Sequence, residues 1–180
     1  MIICMTKKIT LTWPSGVWKT LIWGELGKSL AIPCYDGDAE TLKRLMWMTI
    51  PNVIDKVGMD IFRAREAEGT TLAIQRYKED HILSLGWWTL TEHAFYNHNM
   101  SALKSAWYLI IYIKTDIEII LERMKDDSEW NNKRVDLDEQ EFRERYETRD
   151  PWYTKSSWLV VPNNGTPNET VDAILEHLSL

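Results

Sequence analysis

Glycine is scarce in this chain, with eight residues in 180, and tryptophan, at ten, outnumbers it. Cysteine is rarer still. Cys4 and Cys34 alone cannot build a disulfide framework, so reduced thiols acting as small apolar fillers in a cytoplasmic setting are expected. No apolar run is long enough to span a bilayer, and the short apolar start Met1–Met5 lacks a signal-peptide layout. Basic residues are outnumbered, 21 Lys and Arg against 27 Asp and Glu, for a formal net charge of −6. General binding to polyanions needs clustered cations, so neither nucleic acid nor a membrane surface is expected as a partner. The four histidines, His81, His93, His98 and His177, are scattered without ligand spacing and are assigned no metal.

What is present is ordinary for a globular protein: 44% apolar and 27% charged residues. Strand patterns at Lys8–Leu11, Ile32–Tyr35, His81–Leu85, Trp107–Ile113 and Trp158–Val161 alternate with helical ones. Helices are expected over Thr20–Leu30, Ala39–Met46, Pro51–Val57, Asp60–Glu79 (with a break at Gly69), Met100–Ser105, Asp116–Met124, Asp138–Glu147 and Glu169–Leu178. Asp36-Gly37-Asp38 reads as a turn closing the second strand. Such alternation indicates an α/β fold, a parallel sheet with helices on both faces. No repeat or linker divides residues 1–180, so one monomeric domain is expected.

The first strand-to-helix junction reads Trp13-Pro14-Ser15-Gly16-Val17-Trp18-Lys19-Thr20. A phosphate loop is a glycine, four residues, then Gly-Lys-Ser/Thr between a strand and a helix, so here both end glycines are tryptophan. In such a loop, successive backbone N–H groups and the positive helix end wrap phosphates. Lys19 would bridge the terminal phosphates and the Thr20 hydroxyl would ligate magnesium. Glycine serves where φ is positive or the ligand comes close. Alone, a Lys-Thr pair after a strand also opens many ordinary helices, and the two indoles could simply cap the core.

Further motifs carry a resemblance. Tyr35-Asp36-Gly37-Asp38, Ile61-Phe62-Arg63-Ala64-Arg65-Glu66, Leu83–Leu90 around Gly86-Trp87-Trp88, Lys133-Arg134-Val135 and Arg149-Asp150-Pro151-Trp152-Tyr153 follow one another in the order and near the spacing of shikimate kinase. The likeness covers roughly Lys8 to Leu180. It implies a three-layer α/β/α P-loop kinase fold with a five-stranded parallel sheet, a lid near 125–136 and a substrate-binding helical region near 38–68. It implies ATP-dependent phosphoryl transfer to the 3-hydroxyl of shikimate, with Mg2+, in aromatic amino acid biosynthesis. Lys19, Asp38 and Arg134 would be catalytic. Ser15, Gly16, Val17, Trp18, Lys19, Thr20, Leu21 and Arg123 would hold the nucleotide, and Thr20 and Asp36 the magnesium. Asp38, Arg63, Gly86, Trp87, Trp88 and Arg149 would hold shikimate, the two arginines on its carboxylate.

Departures from that family are systematic. Tryptophan stands at Trp13, Trp18, Trp23, Trp47, Trp87, Trp88 and Trp107 where the family has glycine; Met59 replaces a glutamate and Val135 the lid proline. The pattern reads as an engineered, computed or otherwise altered form of a kinase-like parent, with function lost more than fold. Two rival readings stay open: a kinase for another small hydroxy acid or a nucleoside monophosphate, and a P-loop-derived scaffold whose indoles fill the old pocket. Single-strand nucleic-acid binding by stacking has the aromatics but lacks the basic groove.

Overall fold

The computed structural model describes residues 7–14, 17–44, 50–126 and 138–178. Five strands, β1 (Lys8–Thr12), β2 (Cys34–Asp36), β3 (His81–Ser84), β4 (Leu109–Lys114) and β5 (Leu159–Pro162), form one all-parallel sheet in the order β2-β3-β1-β4-β5. Among the described residues, the helices are α1 (Lys19–Leu30), α2 (Gly37–Arg44), α3 (Ile50–Val57), α4 (Met59–Arg76), α5 (Tyr96–Ser105), α6 (Ile117–Asp126), α7 (Glu139–Ser156) and α8 (Pro167–His177).

Parallel strands need cover on both faces, and β1, β3 and β4 are accordingly apolar or capped polar along most of their length. On one face, Ile9, Leu11, Ile82 and Ile111 pack with Ile22 and Leu26 of α1, Phe142 of α7 and Ile174 of α8. On the other, Leu83, Leu85 and Ile110 pack with Ala73 and Ile74 of α4 and Met100 and Leu103 of α5. Each fully buried Leu or Ile contributes about 1.5–3 kcal/mol. The result is a three-layer α/β/α arrangement. Helix α8 starts on a capping box: Thr166 Oγ1 accepts from the Glu169 N–H, Glu169 Oε2 accepts from the Thr166 N–H, and Pro167 supplies the first helical φ.

Local patterning misplaced several boundaries. In place of a separate turn at Asp36-Gly37-Asp38, Asp36 ends β2 and Gly37 begins α2; Asp36 Oδ1 accepts the Asp38 N–H at 2.9 Å and turns the chain straight into the helix. Helix α4 runs unbroken through Gly69, where a Cβ would press on the Thr41 hydroxyl of α2 at 2.7 Å; close helix packing there overrides the glycine's weak helix propensity. Helix α7 continues nine residues beyond Glu147, through Pro151. The hydrogen bond that Pro151 cannot donate is offset by tertiary bonds from Asp150 and Tyr153. Trp107 and Trp158 lie just outside β4 and β5, largely exposed. Asp116 precedes α6 and its Oδ2 accepts from Asn164. Cys34 is a free thiol whose Sγ lies 3.2 Å from the Trp23 carbonyl. Among the described residues, no helix is long and apolar enough to cross a membrane.

His81 opens β3 fully buried, Nδ1 donating to the Glu79 carbonyl at 2.7 Å and Nε2 accepting from the Tyr108 hydroxyl at 2.6 Å. Burial pushes its pKa below the ordinary imidazole range, against the Glu79 carbonyl and carboxylate and Asp80 and together with Lys8. The unfolded chain therefore takes up a proton that the folded chain refuses, and this stability contribution is lost as pH falls below about 6.5. The melting temperature of the parent protein should drop between pH 7 and pH 5.5 more steeply than that of His81→Gln; parallel pH profiles would remove His81 as the cause.

Candidate active site

The strand order places the C-terminal ends of β1, β3 and β2 side by side, and each end leads directly into groups of one cleft. Helix α1 follows β1 with Lys19 as its first residue and no side-chain cap at Trp18, which leaves its amino end open to an anion. From the end of β2, Asp36 and Asp38 face it: Lys19 Nζ lies 3.4 Å from Asp36 Oδ1 and 3.5 Å from Asp38 Oδ2. Burial raises the Asp38 pKa above the usual carboxylate range, opposed next by the Lys19 charge. A carboxylate of raised basicity beside an ammonium is suited to accept a hydroxyl proton.

The end of β3 forms the wall. A Cβ on Gly86 would collide with Asp38 Oδ1 and lie 3.0 Å from Glu66 Oε1, so only glycine lets the wall approach both carboxylates. Glu66 holds Arg63 from one turn back in α4, Oε2 accepting from Nη1 at 2.8 Å, while its Oε1 accepts from Thr89 Oγ1 at 3.0 Å. The pair is not a surface ion pair: the side chains are only 6% and 3% exposed. Burial lowers the Arg63 pKa and raises that of Glu66, each opposed by the other's charge. Arg63 Nη2 is buried with no hydrogen-bond partner, a spare donor of the kind a carboxylate satisfies.

Arg149 comes from the middle of α7, not from a helix end, and meets Arg63 over one ring. Its guanidinium carbon lies 3.4 Å from the centre of Trp88 and 4.1 Å from that of Trp87, and Arg63 lies 4.3 Å from Trp88. Trp87 also packs on Phe142 at 5.6 Å. The two indoles thus occupy the surface that both guanidiniums face, each contact worth about 0.5–2 kcal/mol.

A second group gathers at the outer side of α1. Arg123 stacks on Trp18 at 3.9 Å and donates from Nη2 to the Gly165 carbonyl, while its buried Nη1 has no hydrogen-bond partner. Thr20 and Leu21 are exposed in the first turn of α1. The Val17 side chain is buried, and its carbonyl accepts from Asn163. Thus Lys19, Asp36, Asp38, Arg63, Gly86, Trp87, Trp88 and Arg149 converge on one cleft, with Thr20 next to Lys19 in the first turn of α1 and Trp18 and Arg123 stacked on each other. Ser15, Gly16, Arg134, Val135, Trp47, Cys4 and nearly all of the expected lid lie outside the described residues.

Three supports were invisible in the sequence. Asn163 Nδ2 donates to the Val17 carbonyl at 3.2 Å and to Thr115 Oγ1 at 2.9 Å, tying the phosphate loop to the end of β5. Asp150 is held by the Tyr112 hydroxyl and Lys114 Nζ, both at 2.8 Å, and so fixes the turn of α7 that carries Arg149. Tyr153 donates to the Trp87 carbonyl. These contacts join residues 36 to 146 positions apart, beyond any local pattern.

Comparison with known proteins follows the same lines. A family model described as "Shikimate kinase" matches residues 15–179. Shikimate kinase of Acinetobacter baylyi is 30% identical over 168 residues, covering 93% of this chain and 89% of that protein. Among solved structures, shikimate kinase of Bacteroides thetaiotaomicron superposes with a TM-score of 0.82 at 18% identity, covering 96% of this chain and 98% of that one. Shikimate kinase of Acinetobacter baumannii in complex with shikimate gives 0.80 at 24% identity, covering 97% and 94%. At these identities the structures speak for the fold.

Replacing Glu66 by Gln should strand the Arg63 charge in the interior and cost about 3 kcal/mol of stability. Urea unfolding measures it; a loss below about 1 kcal/mol would show that Glu66 is not what balances Arg63.

Proposed function

Because the chain belongs to the shikimate kinase family, we propose that its site is built to transfer the terminal phosphoryl group of ATP to the 3-hydroxyl of shikimate, and that the indoles of Trp18, Trp87 and Trp88 hold it near inactivity. One observation carries the reading. The Lys19 ammonium at the amino end of α1 stands between Asp36 and Asp38, while Arg63 and Arg149 meet across the cleft. A phosphate donor requires the first arrangement and an acidic acceptor the second.

In this reading each group has one task. Lys19 leaves its carboxylate partners to bridge the terminal phosphates. Asp38 orients the attacking hydroxyl and takes its proton, a role its raised pKa supports. Arg63 and Arg149 receive the carboxylate, and the unpartnered Arg63 Nη2 is one donor for it. Arg134 would reach the transferring group from the lid, and Arg123 would lie against adenine where it now stacks on Trp18. The donor set fits magnesium: Thr20 and Asp36 are hard oxygen ligands, and this ion is usually held by one or two such groups plus phosphate and water. Bound there, it would neutralise charge on the phosphates. The whole chain acts as one kinase unit, monomeric and cytoplasmic.

The indoles oppose this. A carboxylate approaching Arg149 must displace Trp88 from 3.4 Å, and an adenine approaching Arg123 must displace Trp18. A second reading, a scaffold with a filled pocket, is favoured by the same contacts and predicts tryptophan fluorescence indifferent to ATP and shikimate. ADP release from ATP and shikimate decides between them. The chain as written should turn over barely above background and bind ATP–Mg2+ weaker than micromolar by calorimetry. Combined Trp13→Gly, Trp18→Gly, Trp87→Gly and Trp88→Gly should raise turnover by roughly 10²-fold or more, the scale that misplaced reacting groups cost. No gain from the fourfold variant would sink the assignment.

A further inference from the structure

Only three described non-glycine residues have positive φ: Trp18 at 57°, Ala31 at 54° and Trp107 at 63°. Two of the three are tryptophan. For a bulky residue this backbone region is a true outlier, costing about 1–3 kcal/mol, and is tolerated when surrounding structure compensates. Compensation is poor at both sites. The Trp107 side chain is 80% exposed, so almost none of its area is removed from water. Trp18 is 41% exposed and rests on Arg123, a cation that it helps to desolvate. At both positions the backbone takes a glycine conformation while the side chain gains little.

Trp87 and Trp88 show the same mismatch by another route. They continue directly from Gly86, whose lack of a Cβ lets the wall approach Asp38 and Glu66. Their indoles then cover the two guanidiniums that the cleft brings together. The composition agrees. Glycine at about 7% of residues would give about a dozen in this length, and the chain has eight, with ten tryptophans. Trp152 behaves differently. It lies inside helix α7 and packs edge-on against Tyr96 at 4.8 Å, as a helical tryptophan should.

One cause accounts for excess tryptophan, missing glycine, the glycine-like backbone at Trp18 and Trp107 and the indoles that fill the cleft at Trp87 and Trp88. The codon UGA is read as tryptophan by some genetic codes and as glycine by others. We infer that Trp18, Trp87, Trp88 and Trp107 are encoded by UGA and are built as glycine in the cell that carries this gene. The working protein then has an unobstructed amino end of α1, an Arg123 free of the indole and an acid pocket open to Arg63 and Arg149. That consequence rests on the kinase reading; the inference itself rests on backbone angles and side-chain placement.

The test reads the gene and the native polypeptide. The codons for positions 18, 87, 88 and 107 should be UGA, while that for Trp152 should be UGG. Peptides from protein purified out of the source cells should carry, at the four positions, the mass of glycine and not tryptophan. UGG at Trp18 and Trp107 overturns the inference, and so do native peptides bearing tryptophan there. Neither readout involves phosphoryl transfer. An inactive glycine-bearing chain would therefore count against the proposed function and leave this inference standing.

Discussion

A single lysine ammonium facing two carboxylates at the open end of a helix is the constraint around which this site is organised. Lys19 can hold that place only because β1 lies in the middle of the sheet with the end of β2 two strands away and β3 between them. Asp36 and Asp38 balance the charge that α1 and Lys19 direct into the cleft. In the proposed reading the same carboxylates would serve the acceptor hydroxyl and a magnesium ion, so one set of groups would carry both tasks.

The opposite wall is governed by burial of charge. Arg63 and Glu66 lie in the interior, and such a pair is tolerated only when its remaining donors and acceptors are satisfied. Thr89 satisfies one Glu66 oxygen, and an Arg63 nitrogen is left over. Arg149 is brought to the same point by a helix that passes through a proline, because Asp150 and Tyr153 on either side of Pro151 are anchored to β4 and to the wall after β3. Glu66 balances Arg63, and both guanidiniums also rest on the electron-rich face of the Trp88 indole.

Packing of the sheet and filling of the cleft are largely separate matters. The indoles at Trp87 and Trp88 add aromatic and cation–π contacts to the core side of the cleft and cover the guanidiniums there. Trp87 joins one of the two apolar layers, but strand side chains such as Ile9, Leu11, Leu83 and Ile111 are themselves buried by helices on both faces. A pocket can be filled without the fold being lost.

Alternation of short apolar strands with helical stripes was enough to determine the α/β class, and linked motifs were enough to mark Lys19, Asp36, Asp38, Arg63 and Arg149, because period and motif spacing are local properties. Where helices begin and end was less legible: at Gly69 and Pro151 tertiary contact overrides the local signal, and at Gly37 the neighbouring Asp36 side chain does. Whether Arg63 and Glu66 form a surface pair or a buried one, and whether Arg149 ends a helix or lies within it, depends on what packs above them. Only the folded chain decided that, because burial and the approach of residues distant in sequence are set by the closing of the sheet between its helices and by no pattern along the chain.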